Sequence, residues 1–125
     1  MKKNKLLIGG RGVGKTSMAT EISKAYLDKD VVRLNSPRIS SETSLPKLPR
    51  NIKLIIVDEI ASMSVIRYWS KVAKDGMRFR DKISRYTIHP EIILISQLTI
   101  EKIKKSMPNL SDVLEIIEVK KNEAA

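Results

Sequence analysis

The sequence predicts a single α/β domain built around a mostly parallel β-sheet. Three observations carry that expectation. Short apolar runs recur along the chain, separated by stretches with the apolar spacing of helices. Two of the runs, Leu54-Ile55-Ile56-Val57 and Ile92-Ile93-Leu94-Ile95, are apolar at every position, as strands covered on both faces are. A glycine-rich octet, Gly9 to Thr16 (GGRGVGKT), lies between a third apolar run, Leu6-Leu7-Ile8, and a helical stretch. A length of 125 residues, with 42% hydrophobic and 30% charged residues, fits one soluble domain able to bury a core.

The first strand is Lys5–Ile8. After the octet a helix is expected over Lys15–Asp28, where Met18, Ile22, Ala25 and Tyr26 form one apolar stripe. Val31–Leu34 is the second strand. Asn35–Asn51 contains three prolines and reads as a loop, long enough in a compact domain to suggest a functional or mobile segment. Leu54–Val57 is the third strand. A helix follows over roughly Ser64–Lys74, capped by Ser62 or Ser64, carrying Trp69 and stopped at Asp75-Gly76. Met77–Arg80 and Arg85–Ile88 alternate in polarity and read as a hairpin around Asp81–Ser84. Ile92–Ile95 is a buried strand, Thr99–Met107 a helix ended by Pro108, and Leu114–Val119 the last strand. Lys120–Ala125 is expected to be a disordered tail.

The octet carries chemistry. It fits G-x-x-x-x-G-K-[ST], and its strand-loop-helix setting is the context that pattern requires. Glycines let the backbone wrap a polyphosphate with its N–H groups inward, and the helix start adds the positive end of its dipole. The expected nucleotide contacts are Gly9, Gly10, Arg11, Gly12, Val13, Gly14, Lys15, Thr16 and Ser17. Lys15 reaches the β- and γ-phosphates, and the Thr16 hydroxyl holds Mg²⁺. The run LIIVDE (Leu54–Glu59) then ends a buried strand in two acids. Asp58 is the expected Mg²⁺ partner, and Glu59 the group that orients or activates a water for attack on the γ-phosphorus. The strand Ile92–Ile95 ends in Ser96-Gln97, either of which could contact the γ-phosphate or that water, with Gln97 preferred. An ordinary strand end with a helix cap is the competing reading there. His89, beside Pro90, reads as a turn residue.

Composition narrows the alternatives. With no cysteine there are no disulfides or thiolate metal sites, and one histidine leaves little room for zinc. No apolar run approaches a membrane span, and the run after Met1-Lys2-Lys3 is too short for a signal-peptide core, so a cytoplasmic protein is expected. The net charge is +10, with about +7 in residues 1–50 and about +3 in residues 51–100. Arg67, Lys71, Lys74, Arg78, Arg80, Lys82 and Arg85 face only Asp75 and Asp81 in their stretch. That concentration suits a polyanion, although an ordinary solvated basic surface explains it equally well.

The order GGRGVGKT, LIIVDE, IILISQ resembles the core of the additional-strand P-loop ATPases, which include AAA+ proteins, over Lys5 to Val119. It is most similar to the superfamily 3 helicases of viral and plasmid replication proteins. The resemblance implies a five-stranded sheet of order 5-1-4-3-2, ATP and Mg²⁺ as cofactors, and an oligomeric ring. It also implies that the basic hairpin in KDGMRFRDKISRYTIHPEIILISQ (Lys74–Gln97) holds nucleic acid, single-stranded DNA above all, through Arg78, Arg80, Lys82 and Arg85. Gln97 stands where that family usually has asparagine. The family's arginine finger follows that motif, yet the last arginine here is Arg85, which leaves Arg78, Arg80, Arg85, a like subunit or a partner protein to supply one. The leading expectation is an ATPase coupled to nucleic acid, helicase-like or translocating. A P-loop small-molecule kinase, with Arg78, Arg80 and Arg85 as a phosphate-covering lid, and a nucleotide-binding subunit dependent on a partner are the alternatives.

Overall fold

The computed structural model describes residues 4–10, 12–35, 51–80 and 85–120. Five parallel strands form one sheet: β1 (Lys5–Ile8), β2 (Val31–Asn35), β3 (Leu54–Ile60), β6 (Glu91–Ser96) and β7 (Glu115–Glu118). Their order is β2-β3-β6-β1-β7, the expected 5-1-4-3-2. The short antiparallel pair β4 (Met77–Arg80) and β5 (Arg85–Ile88) is a separate hairpin between helix α2 (Met63–Asp75) and β6.

Alternation along the strands builds a core on each face. Leu6, Ile55, Val57, Ile92 and Leu94 pack with Val65, Ile66 and Trp69 of α2 and Ile103 of α3 (Ile100–Ser106). Their neighbours Leu7, Leu54, Ile56, Ile93 and Ile95 pack with Ala19 of α1 (Lys15–Ser23) on the other face. Three strands apolar on both sides therefore sit in the middle of three layers, where both faces are removed from water.

Several boundaries differ from expectation. Helix α1 ends at Ser23, not Asp28. The amides of Lys24, Ala25 and Tyr26 bond to carbonyls three residues back, tightening the chain into turns that lead to a 3₁₀ segment at Asp28–Asp30. Met18, Ile22 and Tyr26 keep their place on the core, while Ala25 is turned out to solvent. Strand β3 continues through Asp58 and Glu59 to Ile60, where only Leu54–Val57 was expected. Ser62, not Ser64, caps α2, its hydroxyl accepting from the Ser64 amide. Residues 36–50 of the predicted loop, the hairpin turn 81–84 and the tail residues 121–125 lie outside the described residues.

Two hydrogen bonds, Lys53 N to Asp30 O and Glu91 N to Lys53 O, tie the starts of β2, β3 and β6 together. At that lower edge the Asn4 side chain accepts from Ile92 N at 2.8 Å and donates to Ala73 O at 3.3 Å. Glu91 accepts from the Tyr26 hydroxyl and pairs with Lys5 at 3.6 Å. The carboxyl ends of the strands, at the opposite edge, carry the site.

Candidate nucleotide site

The octet leaves β1 and turns directly into α1. Gly9 has φ 151°, and a Cβ there would stand 2.5 Å from the Val119 carbonyl oxygen, because the loop starts hard against the exit of β7. Gly14 has φ 100° and forms the amino end of α1 in the left-handed region that favours glycine. No side chain caps that end, and no acid lies in its first turn. Helix α3 begins beside it at the end of β6 in the ordinary way, with Thr99 accepting from Lys102 N and Glu101 in the first turn. The open amides of α1 are thus available to an external anion.

Lys15 is buried, and its Nζ donates to the carbonyls of Gly9 and, at 3.1 Å, of Gly10. Burial pushes its pKa below the ordinary 10.5, and the nearby Asp58 carboxylate pulls the other way. A bound phosphate would restore the preference for the charged form. The Thr16 hydroxyl donates to Asp58 Oδ2 at 3.1 Å, so two residues 42 positions apart meet. A hydroxyl and a carboxylate side by side are oxygen donors of the kind Mg²⁺ takes when phosphates and water complete its shell. Ser17 is exposed in the first turn of α1. Arg11 lies outside the described residues.

Two consecutive acids on a regular strand would point to opposite faces. Here they do not. Val57 pairs with Leu94 and Ile60 with Ser96, so β3 carries one residue more than β6 over that interval, which is a β-bulge. Glu59 takes φ 59°, a left-handed conformation unusual for a residue with a side chain, and its N–H donates to Asp58 Oδ1 at 2.7 Å. The bulge brings Asp58 and Glu59 to one open cleft of about 480 Å³, lined also by Gly12, Lys15, Thr16 and Gln97. It also returns Ile60 to the α2 side, with Ile55 and Val57.

Gln97 is exposed at the cleft, where the sequence placed it. Ser96, the alternative, borders the same cleft. Its side chain is fully buried, donating to Ile60 O at 2.8 Å and accepting from Leu98 N at 3.1 Å, so its hydroxyl is already engaged in both directions. Among the described residues no arginine lines the cleft. Arg78 and Arg85 are exposed on β4 and β5. The Arg80 backbone pairs with Arg85, while its side chain and all of Lys82 lie outside what is described. His89 is exposed in the two-residue connection before β6.

A second hollow, about 500 Å³, opens on the other side of Gly9 and Gly10. Ile8, Val13, Ile100 and Val119 give it an apolar lining with Glu101 and Glu118 at hand. No local pattern marked it, because its walls come from four separate elements.

The family model for the ATPase family associated with various cellular activities (AAA) matches residues 5–98, from the first residue of β1 to just past Gln97. The chain belongs to the AAA ATPase family. No curated protein matches it. Family membership brings ATP binding and ATPase activity in general, usually with Mg²⁺, and the all-parallel five-stranded sheet agrees with it. Among the described residues no helix is long and apolar enough to cross a membrane.

Proposed function

We propose that this AAA domain hydrolyses Mg²⁺-ATP and couples the reaction to nucleic acid through the β4–β5 hairpin, as the superfamily 3 helicase resemblance suggests. The observation that carries the catalytic half is the convergence of Lys15, Thr16, Asp58, Glu59 and Gln97 on one cleft beside the open end of α1. Loop amides and Lys15 hold the polyphosphate, and the hollow beyond Gly9 takes the purine. Thr16 and Asp58 would hold Mg²⁺, whose charge offsets that of the β- and γ-oxygens when bound. Glu59 orients a water toward the γ-phosphorus and accepts its proton. Gln97 donates to the γ-phosphate or to that water.

Strand β6 supports the coupling half. Its amino end follows the hairpin after two residues, and its carboxyl end delivers Gln97 to the cleft. Six residues of strand span about 20 Å, so hairpin and cleft lie at opposite ends of one rigid rod. Exposed Arg78 and Arg85, with Arg80 and Lys82 beside them in sequence, offer phosphate contacts that ignore base identity. An arginine finger then comes from a neighbouring copy in an oligomer or from a partner protein.

Phosphate release from Mg²⁺-ATP tests both halves. Single-stranded DNA should stimulate it and salt should suppress the stimulation. Reversing Arg78 and Arg85 to glutamate should leave ATP affinity unchanged while lowering the log–log salt slope of DNA binding by about 0.7 per lost contact. DNA affinity unaffected by the double reversal would remove the nucleic-acid half, and folded protein that binds no ATP would remove both.

A further inference from the structure

Of the two groups assigned to the attacking water and the γ-phosphate, Glu59 sits in the bulge of β3 and Gln97 just past the end of β6. Glu59 is the extra residue of a bulge, held in a conformation that costs about 1 kcal/mol or more when a side chain is present. Gln97 lies just beyond the last residue of β6, in the turn before α3. Between them is one fully buried hydroxyl. Ser96 Oγ donates to the carbonyl of Ile60, the residue after Glu59, and accepts from the amide of Leu98, the residue after Gln97. A buried hydroxyl in an apolar strand, IILIS, adds no packing that alanine or valine would lack. It persists because both its hydrogen bonds are made.

We infer that Ser96 is a positioning residue for hydrolysis: through Ile60 it closes the bulge that presents Glu59, and through Leu98 it sets the turn that presents Gln97. The distance between water-orienting and phosphate-contacting groups is thereby set by one side chain that touches neither substrate nor metal. The inference rests on the proposed roles of Glu59 and Gln97. It predicts that removing the hydroxyl impairs turnover and spares nucleotide binding, since the loop amides, Lys15 and Thr16 belong to the stretch from β1 into α1 and do not depend on it.

Four variants separate the possibilities: Ser96→Ala, Ser96→Thr, Glu59→Gln and the double variant Ser96→Ala/Glu59→Gln. ATP affinity is read by calorimetry, turnover by phosphate release, and folding by the fluorescence of the single tryptophan, Trp69. Ser96→Ala should keep ATP affinity within about twofold and lose turnover by ~10- to 100-fold, the scale of an ångström-sized misplacement. Ser96→Thr, which keeps the hydroxyl, should recover most of that loss. In the Glu59→Gln background, Ser96→Ala should cost little more, because groups acting as one unit are not additive. The inference is overturned if Ser96→Ala turns over normally while Glu59→Gln does not. It is equally overturned if Ser96→Ala loses affinity and turnover together, or if threonine restores folding without restoring turnover. Normal hydrolysis by Glu59→Gln would instead bring down the reading of Glu59 itself.

Discussion

The two edges of the sheet each place carboxylates at strand ends, and they treat them in opposite ways. At the lower edge Glu91 is pinned by the Tyr26 hydroxyl and Lys5, while Asn4 closes the adjacent backbone groups of Ile92 and Ala73. At the upper edge Asp58 and Glu59 face an open cleft, Glu59 in a left-handed conformation, Lys15 partly stripped of water and the amino end of α1 uncapped. Satisfied polar groups stabilise the lower edge. The upper edge instead carries a left-handed residue and an uncapped helix start. Asp58 too has partners within the protein, the Thr16 hydroxyl and the Glu59 amide, so the edges differ in the open cleft and the left-handed backbone of the upper one.

The largest effect that tests this contrast belongs to Lys15. Replacing it with methionine keeps the apolar stem and removes the ammonium. ATP affinity should fall at least 100-fold, measured by calorimetry, because a charge-assisted phosphate contact is lost. Stability of the ligand-free protein should not fall, since burial already disfavours the charged form in the fold. A marked drop in the unfolding midpoint of Lys15→Met would mean that the upper edge is built for stability after all.

Next in size is the backbone at Glu59. Glu59→Ala and Glu59→Gly both remove the carboxylate and should both abolish turnover. Only glycine is at ease at φ 59°, so the glycine variant should be the more stable by about 1 kcal/mol. Denaturant midpoints read from Trp69 fluorescence compare them directly. An alanine variant as stable as the glycine one would show that the bulge carries no strain.

The contrast between the edges also marks what could be read from the chain. Strand identities, the hairpin and the glycine loop were legible because each is a local pattern: apolar runs, alternation, and a loop whose glycines stand where the backbone turns. Thr16 and Asp58 were each legible from a motif, as two separate metal partners. The bulge was not. Asp58-Glu59 looked like the end of a strand, but the structure carries β3 on to Ile60, whose carbonyl is held by Ser96, 36 residues away. Ser96 itself was read as a possible phosphate contact because a polar strand end looks the same whether its hydroxyl faces a cleft or a core. The early end of α1 was hidden for a related reason. Tyr26 continues the helical stripe in sequence, yet its hydroxyl is drawn to Glu91, 65 residues on, while the backbone tightens into three-residue turns. The hollow beyond Gly9 likewise exists only once four elements have met.

The smallest effect lies at the lower edge and has a pH signature. The hydrogen bond to Glu91, together with burial and the Glu91 charge, raises the Tyr26 pKa from 10.0 to about 12. A pKa raised in the folded state means that the neutral form is the one the fold favours. Its contribution is therefore fully present below pH 10 and is lost as pH rises through about 12. Tyr26→Phe should cost about 1 kcal/mol at neutral pH through the lost hydrogen bond, without changing ATP affinity or turnover. Measured against the variant, the advantage of the unmodified protein should be constant up to pH 10 and shrink above it. Tyrosinate absorbance should show an ionisation near pH 12 that Tyr26→Phe removes. An advantage that does not change above pH 10, or a loss of turnover in Tyr26→Phe, would break the division between an edge that holds the fold and an edge that does chemistry.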